Sequence, residues 1–141
     1  MDILRKSWIN RLEIIMTFGL GVMWILAAKS KLTDPVGFLE SIEAYQLIDG
    51  NLAAWTALWM PVFEGLLGIA LLFRYKLYEI ARISFILLTF FFLLLIITKI
   101  RGIDINCGCF SQDARETLWE AIARDFILIL INWFVIKVHK P

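Results

Sequence analysis

Cys107-Gly108-Cys109 holds the only two cysteines of the chain, one residue apart, inside the run Gly102-Ile103-Asp104-Ile105-Asn106-Cys107-Gly108-Cys109-Phe110. A disulfide across a single residue closes almost no chain, so it would add little loop-closure stability. Redox chemistry is a stronger reason to hold two thiols so close. At i and i+2 the side chains leave a regular helix on different sides, so the pair needs a turn, which Gly108 permits. The small ring would be strained, and strain makes a disulfide a better oxidant. When reduced, a thiolate could be stabilised by the N-terminal end of a following helix or by Arg101, Arg115 or Arg124. Two other readings stay open: a structural or inert pair, and metal or metallocofactor handling. Two sulfurs supply only half of a tetrahedral site and no histidine is nearby in sequence, so no metal ligands are assigned.

Ionisable residues inside apolar sequence are the next candidates. Glu64 follows Pro61 and precedes Gly65 and Gly68 in the middle of an apolar block. A charged carboxylate at membrane depth is costly, so it must be neutral, paired or turned into a bundle. Met60, Glu64 and Gly68 recur at i, i+4 and i+8 and share one helix face. Glu64 therefore reads either as a residue that exchanges a proton or hydrogen-bonds with a ligand near the thiols, or as part of a packing and polar network. Pro61 loosens the helix locally, and the two glycines allow close helix approach. Arg124-Asp125 opens the last block, with Asn132 seven residues beyond Asp125 on nearly the same face. Adjacent helical side chains diverge by about 100°. The expectation is that Arg124 looks toward Glu64 or an outer-loop carboxylate, and Asp125 toward Lys29 or Lys31. Lys29, Lys31, Asp125 and Asn132 thus form an expected supporting network, with ligand binding or thiolate stabilisation as the other role for Arg124. His139 falls beyond the last block, away from the cysteines, and reads as a surface histidine.

The elements that must position these residues are membrane helices. Of 141 residues 60% are hydrophobic and 19% charged, with eleven Phe, six Trp and a mean hydropathy of +0.77. Four apolar blocks run from Leu12 to Ala28, Leu52 to Phe73, Ile80 to Ile100 and Leu118 to Val138. Each is near the ~20 residues that cross a bilayer. The expected fold is all-α: a four-helix transmembrane bundle forming one domain over residues 1–141. A soluble bundle is excluded because four such helices leave too little amphipathic surface. Ala27-Ala28-Lys29 lacks a clean small-x-small pattern, so the first block reads as a retained span. Between the first two spans, Phe38, Leu39, Ile42, Tyr45 and Leu47 recur at roughly helical spacing among Glu40, Glu43 and Asp49, with Gly50 as a stop. That pattern predicts a short amphipathic helix on the outer surface, acting as interfacial packing or as a gate over the thiols.

Charge sets the orientation. With four spans, the termini and the Arg74 to Arg82 turn share one side, which holds eight of the fourteen basic residues, against six on the other. Basic residues favour the cytoplasm, so both termini are expected inside and the Cys107/Cys109 loop outside a bacterial cytoplasmic (inner) membrane, where disulfides persist. A formal net charge of +1 without a basic stripe gives no reason to expect nucleic acid; the lipid bilayer is the expected surrounding.

Lys31-Leu32-Thr33-Asp34-Pro35 with Phe38 and Tyr45, Pro61-Val62-Phe63-Glu64-Gly65-Leu66-Leu67-Gly68, Arg101-Gly102, Asn106-Cys107-Gly108-Cys109-Phe110 and Arg124-Asp125 together resemble the MauE branch of the DoxX-like membrane proteins over roughly residues 10 to 138. The resemblance implies a four-helix membrane bundle similar in architecture to vitamin K epoxide reductase and the disulfide-bond-forming membrane enzymes. It also implies a part in maturing methylamine dehydrogenase, through disulfide formation or transfer. Carried over by position, the catalytic role falls on Cys107 and Cys109 and the family's membrane acid on Glu64. Quinone is the cofactor this architecture implies, with Glu64 and Arg124 as its candidate contacts. Ser111 stands where the family commonly has glycine. The larger disulfide-forming enzymes use two cysteine pairs and this chain has one, so a separate thioredoxin-like or cysteine-rich extracytoplasmic partner is expected. The rival reading is a non-enzymatic membrane scaffold or maturation factor.

Overall fold

The computed structural model describes residues 1–103 and 117–141. Among them the fold is all-α, with α1 at Asp2–Thr33, α2 at Pro35–Ala44, α3 at Gly50–Leu72, α4 at Leu77–Ile100 and α5 at Leu118–His139. α1, α3 and α4 are long and apolar enough to cross a membrane. α5, with 22 residues, spans about 33 Å at ~1.5 Å per residue, but Glu120, Arg124 and Asp125 make its first turns polar. The long helices neighbour one another in the cyclic order α3, α1, α5, α4, and the seam between α3 and α4 is the sparsest contact in that ring.

Local chemistry explains the boundaries. Asp34 caps α2 by accepting from the Gly37 amide at 2.9 Å, and Pro35 starts the helix where no amide partner is needed. α2 ends at Ala44, earlier than the expected stop at Gly50: Gln46 has φ +54°, and Gly50, at φ +57°, begins α3 instead. α5 opens on a capping box, in which the Thr117 hydroxyl accepts from the Glu120 amide while the Glu120 carboxylate accepts from the Thr117 amide. α1 begins ten residues before the expected Leu12 and runs past Ala28 to Thr33.

Outward faces are apolar, as in the α4 stripe Ile83, Ile86, Phe90, Leu93 and Ile97. Polar groups turn inward: Glu13, Lys31, Glu64, Ser84, Asp125 and Asn132 are all buried. That inversion suits lipid as solvent, where a polar group has partners only inside the bundle. The expected amphipathic helix is present. α2 buries Phe38 and Ile42 against Ala53 of α3, at the end of the bundle opposite the α3–α4 turn. The main core, centred on Leu20, Trp24, Leu67, Leu71, Leu88 and Val135, joins α1, α3, α4 and α5. Close packing of α1 on α3 depends on Gly21 and Gly68. A Cβ on Gly68 would come within 2.8 Å of the Gly21 carbonyl oxygen, and one on Gly21 within 3.0 Å of that of Gly68.

Candidate functional site

Beneath α2 lies a cavity of about 200 Å³ with an almost wholly apolar lining. Trp24 and Ala27 of α1, Phe38 and Ile42 of α2, Met60 of α3, and Leu88 and Phe91 of α4 form its walls. Four charged residues also reach it: Lys31, Glu64, Arg124 and Asp125. Two helices bring the first pair together. Lys31, in the last turn of α1, places Nζ 2.9 Å from Oε1 and 2.8 Å from Oε2 of Glu64 on α3. Both side chains are almost completely buried. Pro61, one turn before Glu64, is buried too and removes the helix bond to the carbonyl of Ala57. The ammonium also lies over two rings, 5.4 Å from the centroid of Phe38 and 5.9 Å from that of Phe91.

The pairing differs from the sequence expectation. Arg124 does not serve Glu64; its Nε and Nη2 both donate to Oδ1 of Asp125 at 3.1 Å. Adjacent helical residues diverge at Cβ, but the long Arg124 side chain folds back along the helix to reach its neighbour. Asp125 is therefore engaged by Arg124, while Lys31 goes to Glu64. Lys29, two positions away on the helix, is exposed and outside the site. The Glu64 face is as expected: Met60 lines the cavity, Glu64 is fully buried and Gly68 meets α1.

Asn132 belongs to a separate centre. Its Nδ2 donates to the Ala81 carbonyl at 3.0 Å, and its Oδ1 accepts from the Ser84 hydroxyl at 2.6 Å and the Phe85 amide at 3.1 Å. The opposite amide orientation would set oxygen against the Ala81 carbonyl. Ser84 Oγ in turn accepts from Trp24 Nε1 at 2.8 Å, so α1, α4 and α5 share one buried polar knot. A third centre lies at the other end of the bundle. Buried Glu13 accepts from Thr17 at 2.8 Å and from Arg74 of the α3–α4 turn at 3.0 Å. His139 Nδ1 lies 3.5 Å from Glu13 Oε1, so this histidine is half-buried in a cluster rather than a plain surface residue. Sequence reasoning missed Ser84 and Glu13 as network centres, since a serine and an acid near a helix end look ordinary until their distant partners are known.

Cys107, Cys109, Ser111 and Arg115 lie outside the described residues. The flanks of their segment are described. Arg101, at the end of α4, donates through Nη1 to the Tyr45 carbonyl at 2.8 Å, tying α4 to the end of α2. Lys99 lies over the Trp119 ring at 5.3 Å, joining α4 to the start of α5. The described residues on either side of that segment therefore lie at the cavity's end of the bundle.

Among the described residues no cluster of His, Cys, Asp and Glu could hold a metal ion. Comparison with curated proteins and with solved structures gave no match. The family described as methylamine utilisation protein MauE matches residues 9–137, which takes in α2, α3 and α4, most of α1 and α5, and both cysteines. With that span matched, the chain belongs to the MauE family, and its apolar helices mark it as a membrane protein.

Proposed function

We propose that this MauE-family protein is a membrane thiol–disulfide oxidoreductase working through Cys107 and Cys109 on a separate thioredoxin-like or cysteine-rich partner. The observation that supports this reading is the apolar cavity, reached by four charged residues, at the end of the bundle where the described flanks of the cysteine segment lie. In the reaction, a partner thiolate attacks the Cys107–Cys109 disulfide and releases one cysteine as a thiolate. A second partner thiolate then attacks the mixed disulfide. The partner leaves as a disulfide and the pair is left as a dithiol, having gained two electrons and two protons. Quinone, taking up the same two electrons and two protons, or the disulfide of a thioredoxin-like protein, restores the pair. Cys107 is assigned as the cysteine attacked and Cys109, followed by apolar Phe110, as the one released, which resolves the mixed disulfide when the exchange runs in the opposite direction. Glu64 assists proton transfer and Arg124 contacts the cofactor or lowers a thiolate pKa; Lys31 supports Glu64 and Asp125 supports Arg124, while Lys29 and Asn132, outside these pairs, take no part.

The same proposal takes residues 1–141 as one integral domain of the inner membrane, a four-span bundle related in architecture to vitamin K epoxide reductase. α5 is the fourth span, and its Arg124–Asp125 pair lowers the cost of charges near the bilayer. Both termini lie in the cytoplasm and the cysteines outside.

The test is trapping. Cys107→Ser and Cys109→Ser should each abolish disulfide transfer while leaving the bundle folded, and the variant that keeps the attacked cysteine should accumulate a mixed disulfide identifiable by mass spectrometry. Redox titration should place the pair above about −300 mV, more oxidising than structural disulfides. Full activity in both single variants would replace this reading with the scaffold, and loss of a bound metal in both would replace it with metal handling.

A further inference from the structure

We infer that the cavity beneath α2 binds a neutral, membrane-dissolved compound with an apolar body and a carbonyl head, which enters sideways between α3 and α4 and accepts a hydrogen bond from Lys31. The inference rests on the quinone part of the proposed function, a quinone being such a compound, but the binding itself does not require the thiols. A cavity of ~150 Å³ lined by apolar side chains holds a benzene ring, and this one measures about 200 Å³. Trp24, Phe38 and Phe91 offer it aromatic walls.

The donor set selects the head. Lys31 carries three N–H groups. Two reach the oxygens of Glu64, and among the described residues the third faces only the rings of Phe38 and Phe91. A buried ammonium with a spare donor makes a strong, charge-assisted bond to an oxygen acceptor. Lys31 and Arg124 are each matched there by a carboxylate, Glu64 and Asp125, so the site offers no net positive charge to an anionic head; the acceptor that fits is uncharged, and a carbonyl oxygen meets that requirement.

The lining residues also mark the route. α2 roofs the cavity with Phe38 and Ile42, both buried. Phe90, by contrast, lines the cavity and is 51% exposed on the lipid-facing stripe of α4. Leu94 lies one turn further along α4, and Thr56 and Met60 face it from α3. These four residues flank the sparsest seam between the long helices. An opening there faces hydrocarbon, which suits an apolar ligand and excludes polar ones.

The probe is 4-dodecyloxybenzophenone, an aromatic ketone with an alkyl tail, dissolved in lipid nanodiscs carrying the full chain. The chain bears Cys107→Ser and Cys109→Ser throughout, so failure of the disulfide-exchange reading cannot affect the result. On illumination the ketone inserts into nearby C–H bonds and favours methionine, and Met23 and Met60 both line the cavity. Adducts should concentrate on those two residues. Leu94→Trp at the mouth, or Lys31→Leu with Glu64→Leu, should lower the yield about tenfold, equivalent to ~1.4 kcal/mol of binding. Leu130→Trp, on the lipid face of α5, should leave it unchanged, and melting curves establish that each variant is folded. Adducts scattered over lipid-facing residues such as Leu58 and Leu66 without enrichment at Met60 would overturn the binding site. A yield unmoved by Leu94→Trp would overturn the lateral route, and one unmoved by the paired Lys31 and Glu64 changes would overturn the head-group assignment.

Discussion

Lys31 and Glu64 illustrate why a charge inside an apolar bundle is stable only in company. Each would carry a heavy desolvation penalty alone, and the doubly bonded geometry at 2.8 and 2.9 Å offsets it. Lys31→Met, leaving Glu64 buried without its partner, should destabilise the protein by about 3–5 kcal/mol. Adding Glu64→Leu should return most of that stability, because the double variant buries no charge. Denaturant unfolding in detergent measures both, and a double variant no better than the single one would show that the pair is not an isolated unit. Glu64→Gln should assemble better than Glu64→Lys, which would set two ammonium groups against each other. Ser84 is the corresponding neutral centre. Ser84→Ala strips a partner from both Trp24 and Asn132 and should cost about 1–3 kcal/mol by the same measurement.

Helix contacts depend on what a single Cβ would meet. Gly68→Ala drives its methyl to 2.8 Å from the backbone oxygen of Gly21, which cannot rotate away, so α1 and α3 must separate. Gly65→Ala meets only the Cβ of Ala28, at 3.7 Å, an ordinary contact. The first substitution should lower stability by about 1–3 kcal/mol, whereas the second should be tolerated; thermal melting of the two variants side by side separates them. α2 depends on a different device, its Asp34 cap. Asp34→Ala should weaken this helix by about 0.5–2 kcal/mol. Because α2 roofs the cavity, hydrogen exchange should then quicken at Phe38 to Ile42 with little change in α4.

For the protein as a body in a bilayer, the testable quantity is orientation. The α3–α4 turn and the far end of α5 meet at Glu13, through Arg74 and His139, so these parts of the chain lie at one end. The α2 roof and the flanks of the cysteine segment lie at the other. In a Cys107→Ser/Cys109→Ser background, a membrane-impermeant maleimide applied to intact cells should label Asp49→Cys and leave Lys76→Cys unlabelled. The reverse pattern would invert the topology and put the native cysteines on the reducing side.

The helical class, the long apolar elements and the amphipathic helix were legible in the sequence because length, periodicity and caps are local properties, readable from neighbours a few residues apart. So was Glu64, since a carboxylate in an apolar block is costly enough to stand out by type alone; Lys31 reads in sequence as part of the loop after the first span, and only the structure buries it. Their partners were not legible. By charge Arg124 is expected to serve Glu64, and Lys29 or Lys31 to serve Asp125; only the packing of α1 on α3, close at Gly21 and Gly68, brings Lys31 within 2.9 Å of Glu64, and Arg124 folds onto Asp125 instead. Asn132 moved from the ion network to Ser84, and His139 from the surface to Glu13, for the same reason. The cavity itself has no sequence signature, since it is the space left where α2, α3 and α4 fail to close on one another. Composition determines that polar groups must be satisfied inside the bundle; the helix crossings decide which group satisfies which.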